Sequence, residues 1–131
     1  MSDELDIRNR LSTIAQLSDD GNLDEYVENF TEDACWGGSG FPERKGHSEI
    51  LAGARERRGS GIAGPGSNTR HLISTCVVQV DGDTAKSRSI FLFYGNTQAV
   101  PTLQLMGVWE DELRRTPAGW KLSRRTIVRS E

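Results

Sequence analysis

The chain is short of several residue types, and each shortage excludes something. Only two of its 131 residues are cysteine, Cys35 and Cys76, too few for the disulfide framework with which small secreted domains supplement a core. No stretch approaches the roughly 18 apolar residues of a membrane-crossing helix. The N-terminus lacks the basic segment and apolar run of a secretory signal, so the expected compartment is the cytoplasm. The sequon Asn29-Phe30-Thr31 is then expected to stay unmodified. Basic residues are not in excess: 16 Lys and Arg face 19 Asp and Glu, for a net charge of −3, which argues against a nucleic-acid partner. There are two histidines, His47 and His71, and neither C-x-x-C nor H-E-x-x-H spacing, so no metal site is expected. The absence of G-x-S-x-G leaves a serine hydrolase without support.

What is present describes one globular α+β domain spanning 1–131. Hydrophobic residues make up 35% and charged ones 27%, and a chain this long buries roughly two-thirds of its unfolded surface. Residues 1–33 hold ten acidic and two basic side chains, leaving nine acidic and fourteen basic for the remainder. Ile7, Leu11, Ile14 and Ala15 follow helical spacing within 4–17, and Asp19-Asp20-Gly21 stops that helix. Asn22 caps a second, with Glu25 at the third position and Leu23, Tyr26, Val27 and Phe30 on one face. Ala34-Cys35-Trp36 reads as a short strand leading into a glycine-rich loop. A third helix is expected from Ser48, as its cap, to Arg58. The stretch 59–68 reads as a flexible loop.

Beyond Thr69 the period changes to two. Thr69–Val80, Thr84–Tyr94, Thr102–Arg115 and Trp120–Val128 read as strands, joined by the hairpin signal Asp81-Gly82 and by Thr116-Pro117-Ala118-Gly119. Helices followed by long antiparallel strands make an α+β plan in which a curved sheet wraps the helices. Gly59-Ser60-Gly61-Ile62-Ala63-Gly64 spells the dinucleotide fingerprint G-x-G-x-x-G. Here a helix precedes it and a strand follows, the reverse of what phosphate binding at a helix N-terminus requires. It is a loop, and a lid over a pocket is the functional alternative.

Two residues carry the most promising chemistry. His71 opens an apolar strand, and histidine suits proton abstraction and return near neutral pH. Asp19, at the end of the first helix, is a carboxylate that could hold the second ring nitrogen and stabilise the imidazolium. The plainer reading makes Asp19 turn chemistry and His71 an edge-strand residue facing solvent. Asp20 replaces Asp19 if the helix ends one residue differently. The aromatic residues Trp36, Phe41, Phe91, Phe93, Trp109 and Trp120 read as core or pocket wall. Arg114, Arg115, Arg124 and Arg125 are expected to pair with Glu110, Asp111 or Glu112 across a hairpin. One of them turned inward would hold an oxyanion or a leaving group.

The runs Leu17-Ser18-Asp19-Asp20-Gly21-Asn22-Leu23-Asp24 and Phe30-Thr31-Glu32-Asp33-Ala34 resemble the opening of SnoaL-like members of the NTF2-like superfamily. So do Gly46-His47-Ser48-Glu49-Ile50, Asn68-Thr69-Arg70-His71-Leu72, Tyr94, the stretch 110–115 and Gly119-Trp120-Lys121-Leu122. This resemblance covers nearly the whole chain and implies a conical barrel: three helices in the concave face of a curved, mostly antiparallel sheet, with a deep pocket. Among related enzymes it resembles the group of scytalone dehydratase, bile-acid dehydratase and hexachlorocyclohexane dehydrochlorinase. By motif Asp19 and His71 match that group's catalytic pair, with no cofactor. Tyr26, Trp36, Phe91, Tyr94 and Trp109 are expected to form the substrate pocket. Two departures stand out: Ser18 occupies the place of scytalone dehydratase's tyrosine, and the segment 103–106 contains no second histidine. The general acid is therefore unassigned, with Tyr26, Tyr94 or a returning His71 as candidates.

The function so implied is that of a cofactor-independent lyase or isomerase acting on a small apolar ring-containing molecule. The alternatives are a non-catalytic binding or assembly module and a subunit resembling the small subunit of ring-hydroxylating oxygenases. A homodimer or homotrimer is expected, because the outer face of the sheet carries many apolar residues.

Overall fold

The computed structural model describes residues 2–129. Helix α1 (Asp3–Asp20) is followed by α2 (Leu23–Glu28), strand β1 (Phe30–Gly38), strand β2 (Phe41–Lys45), α3 (Gly46–Gly59) and strands β3 (Arg70–Asp81), β4 (Thr84–Gly95), β5 (Thr102–Thr116) and β6 (Gly119–Arg129). The strands form one sheet in the order β2-β1-β6-β5-β4-β3. Every pairing is antiparallel except β1 with β6. The edges β2 and β3 are not paired with each other, so the sheet wraps its contents without closing. This is the α+β architecture expected, as a mixed sheet of six strands.

Local chemistry accounts for the element ends. The Ser2 hydroxyl accepts the Leu5 N–H at the start of α1. Asn22 Oδ1 accepts the N–H groups of Asp24 and Glu25 at the start of α2, as Asn at an N-cap should. At α3 the expected Ser48 cap is corrected. The helix begins two residues earlier, and Glu49 Oε1, one position beyond that of a capping-box glutamate, accepts the Lys45 N–H. The second helix stops at Glu28 rather than near Thr31, because Phe30 and Thr31 already belong to β1. The glycine-rich loop after Trp36 is likewise corrected: it is a β1–β2 hairpin, in which Trp36 pairs with Arg44 and Gly38 with Phe41.

The helices and the concave face of the sheet share one core. Ile7, Leu11 and Ile14 of α1, Phe30 of β1, Ile50 of α3, Leu113 of β5 and Leu122 of β6 are almost wholly excluded from solvent. On β4 the inward series is Ala85, Ser87, Ser89, Phe91 and Phe93, all buried, as the alternation predicts.

Three of the five register shifts in the described sheet fall among strands β3 to β6. They lie between Ile73 and Thr75 of β3, at Phe93/Tyr94 where β4 meets β5, and at Glu112/Leu113 where β5 meets β6. The last matters most. Leu113 pairs with Leu122 but Glu112 pairs with Arg124, so Ser123 is an extra residue. Before it Trp120 and Leu122 face inward; after it Arg125 and Ile127 do. A bulge inserts one residue and so flips the face of all that follow.

Candidate active site

Asp19 is in the last turn of α1 and 2% exposed. The His71 N–H donates to its Oδ1 and Oδ2, at 3.2 and 3.0 Å, so the carboxylate ties the end of α1 to the start of β3. The same carboxylate takes the ring: His71 Nδ1 lies 2.6 Å from Asp19 Oδ1. An ionised carboxylate only accepts, so against it Nδ1 is the donor, which in a neutral imidazole leaves the lone pair on Nε2. Asp20, the alternative, turns outward and pairs with Arg70 at 3.0 Å, both side chains about half exposed. The imidazole packs against Phe93 with ring centroids 4.5 Å apart and Trp109 at 5.8 Å. Phe91 stacks on Trp109 at 4.6 Å. These rings fix the imidazole plane, since all three are buried.

His71 lines a cavity of about 680 Å³ between α1, α2, α3 and the sheet. Its walls include Tyr26, Trp36, Phe91 and Trp109, together with Ser18, Phe93, Leu105 and Ile127. Tyr94 is corrected: it does not line the cavity. It is adjacent to the inward-facing Phe93 and paired with Arg70 and Leu103, and neighbours on a strand face opposite ways. The Gly59–Gly64 stretch places Ser60, Ile62 and Ala63 on the cavity wall, and it is a loop after a helix, not a phosphate turn.

The inward arginine is Arg125. Its Nε and Nη2 donate to Asp111 Oδ1 and Oδ2, both at 2.9 Å, and its guanidinium lies 3.9 Å from the Trp109 ring centroid. Both partners are almost fully buried, and Arg125 lines the cavity. Burial pushes the Asp111 carboxyl above its usual range, against the opposing pull of Arg125. The stack Arg125–Trp109–Phe91 thus runs to the edge of His71, with a fixed cation at its far end. The hairpin pairing expected of the arginines holds for Arg124 with Glu112 at 3.4 Å and for Arg125 with Asp111. It fails for the other two, since Arg114 binds Asp33 and Arg115 binds Asp3 and Asp83.

Three further arginines, Arg44, Arg57 and Arg129, line the cavity, against one carboxylate, Glu56. Sequence reasoning missed Arg44 and Arg57 altogether. The visible signal was the basic tail of the third helix, which reads equally well as a complement to the helix dipole. Among the described residues no group of three or more His, Cys, Asp or Glu could hold a metal ion. No described helix is long and apolar enough to cross a membrane.

An imidazole oriented by a buried carboxylate, in an aromatic-walled cavity within an open curved sheet, defines a class: the NTF2-like fold with a histidine–aspartate pair. Comparison with known proteins makes the assignment specific. The profile of the SnoaL-like domain matches residues 1–126, and the chain belongs to that family. An NTF2-like protein with a cystatin-like fold from Novosphingobium aromaticivorans is 25% identical, with a TM-score of 0.82 over 98% of this chain and 82% of that one. From the same organism, a candidate aromatic ring hydroxylase is 28% identical, with a TM-score of 0.76 over 98% and 90%. A candidate scytalone dehydratase, also from that organism, is 19% identical, with a TM-score of 0.77 over 95% and 82%. Among curated proteins, the uncharacterized protein Rv2910c of Mycobacterium tuberculosis is 42% identical over 60 residues. That match covers 42% of this chain and 39% of the relative, well under half its length.

Proposed function

We propose that the protein is a cofactor-independent lyase or isomerase in which His71 moves a proton on a small ring-containing substrate held in the cavity. The observation that carries this reading is the 2.6 Å contact between His71 Nδ1 and Asp19 Oδ1 at the cavity wall. With Nδ1–H held by the carboxylate, Nε2 is the base. It takes a proton from a carbon beside an activating group and becomes half of an imidazolium–carboxylate pair. Asp19 stabilises that charge without itself taking the proton. The electron pair left on the substrate either expels a leaving group from the neighbouring carbon or is reprotonated elsewhere by the returning His71. Arg125 supplies a fixed positive charge for the developing oxyanion or the departing group. Tyr26, on the cavity wall, is the remaining candidate for a general acid. The alternative within the same fold is a binding module, in which the pair serves only to join α1 to β3.

The test is a panel of cyclic β-hydroxyketones and β,γ-unsaturated ring ketones, followed by absorbance of the conjugated product in wild type and His71→Ala. Turnover by wild type with a loss of about 10²–10⁴-fold in the variant supports proton transfer. Equal binding by both proteins, with neither turnover nor incorporation of solvent deuterium, would leave the binding module as the reading.

A further inference from the structure

Two of the arginines in the cavity wall stand together where like charges should not. Arg44 comes from β2 and Arg57 from the last turn of α3, and both pass over the backbone of Gly53. A Cβ built at Gly53 would lie 3.1 Å from Arg44 Nε and 3.3 Å from Arg57 Nη1, so the absence of a side chain there lets both guanidinium groups settle on the helix. Glu56 compensates only part of this charge, through a 2.6 Å contact with Arg44 Nη2 from a carboxylate that is 64% exposed. Arg44 Nε is buried without a hydrogen-bond partner among the described residues. Arg57 forms no ion pair among the described residues. Its guanidinium lies 4.4 Å from the Trp36 ring centroid. Burial pulls Arg57 below its ordinary value and Arg44 pulls in the same direction, while the adjacent Tyr26 opposes both. An unsatisfied buried donor beside a second cation is costly unless something fills the gap.

The placement of this pair in the fold matters as much as its charge. His71 is on β3, one edge of the sheet, and Arg44 is on β2, the other edge, and both line the same cavity. Trp36 and Phe41, whose ring centroids are 5.5 Å apart, line the wall beside the arginines. A ligand spanning the cavity therefore meets aromatic surface along its length, a base at one side and two guanidinium groups at the other. Guanidinium recognises a carboxylate through paired N–H donors in its own plane.

We propose that Arg44 and Arg57 form a carboxylate-binding subsite, so that the ligand is an aromatic or polycyclic carboxylic acid anchored there with its reacting carbon toward His71. The substrate class rests on the proton-transfer reading above; the anion subsite does not. Isothermal titration with 2-naphthoate and the matched neutral 2-naphthamide separates the two. Wild type is expected to bind the carboxylate about ten-fold or more tightly than the amide. Arg57→Gln should abolish that preference and leave amide binding within about two-fold. Arg44→Gln serves as an independent second variant, and circular dichroism establishes that each is folded. His71→Ala should keep the preference unchanged, so a failure of the catalytic proposal and a failure of this one give different results. Equal affinity of wild type for acid and amide would overturn the proposal. So would a preference that survives both arginine variants, or no binding of naphthoate up to about 5 mM.

Discussion

Asp19 and His71 do two things with one contact, and substitutions can divide them. The carboxylate accepts the His71 backbone N–H as well as the ring, so Asp19→Asn keeps an acceptor for the backbone while losing the charge that stabilises an imidazolium. Activity is expected to fall by about 10³–10⁴-fold, with a much smaller change in thermal midpoint than in rate. His71→Ala should cost only about 1–2 kcal/mol of stability, because the imidazole, 18% exposed, lines the cavity rather than filling the core. Urea denaturation of both variants, set beside their turnover, checks the division. Arg125 and Asp111 behave differently, since both are almost fully buried. Asp111→Ala leaves a buried guanidinium uncompensated and should cost about 3–5 kcal/mol. Replacing both partners, Asp111→Leu with Arg125→Met, should recover most of that. If the single and double variants are equally unstable by urea denaturation, the buried-charge explanation is wrong.

At the scale of elements, the pocket depends on strand ends and bulges more than on helix propensity. Gly38 closes β1 with φ of +141°, and a Cβ there would lie 2.0 Å from the Ile127 carbonyl oxygen. Gly38→Ala must therefore push β1 away from β6 at the one parallel junction of the sheet. A loss of about 3 kcal/mol or more is expected from strain and overpacking together, read by thermal denaturation. Asn22→Ala, which removes only the α2 cap, should cost about 1 kcal/mol. The contrast between the two measures how much more the sheet junction contributes than the short helix.

For the molecule as a whole, the first turn of α1 is latched to the far ends of β5 and β6. Asp3 accepts from Arg115 Nη1 at 2.9 Å and from Trp120 Nε1 at 3.1 Å. The Arg115 guanidinium, followed by the Trp120 indole, holds the Asp3 carboxyl at about 2, below its ordinary 3.8. A depressed folded-state value means the ionised form is the one the fold favours. The latch is thus fully present above pH 3.8 and lost as pH falls toward 2. Wild type should lose urea resistance more steeply than Asp3→Asn over that window and match it below. The latch is exposed, so this difference is small. A flat comparison of the two midpoints from pH 5 to pH 2 would exclude it.

Much of this was legible in the chain before any coordinates. The helical spacing of Ile7, Leu11 and Ile14, the cap at Asn22, the alternation from Ala85 to Phe93 and the turn at Gly82 are short-range signals, and local sterics decide them. The pairing of Asp19 with His71 was expected too, through resemblance, though no local pattern could establish it. Pairing across 52 residues depends on how α1 packs against β3. What local pattern cannot carry is phase. One extra residue at Ser123 chooses Arg125 over Arg124 for the interior. The short strand β2 escaped notice because a five-residue edge strand has too few positions to show a period. With it went Arg44, whose meeting with Arg57 over Gly53 exists only once the hairpin folds back on α3. Elements follow from neighbours in sequence; which side chains share a cavity follows from register, and register is settled by the packing of the whole.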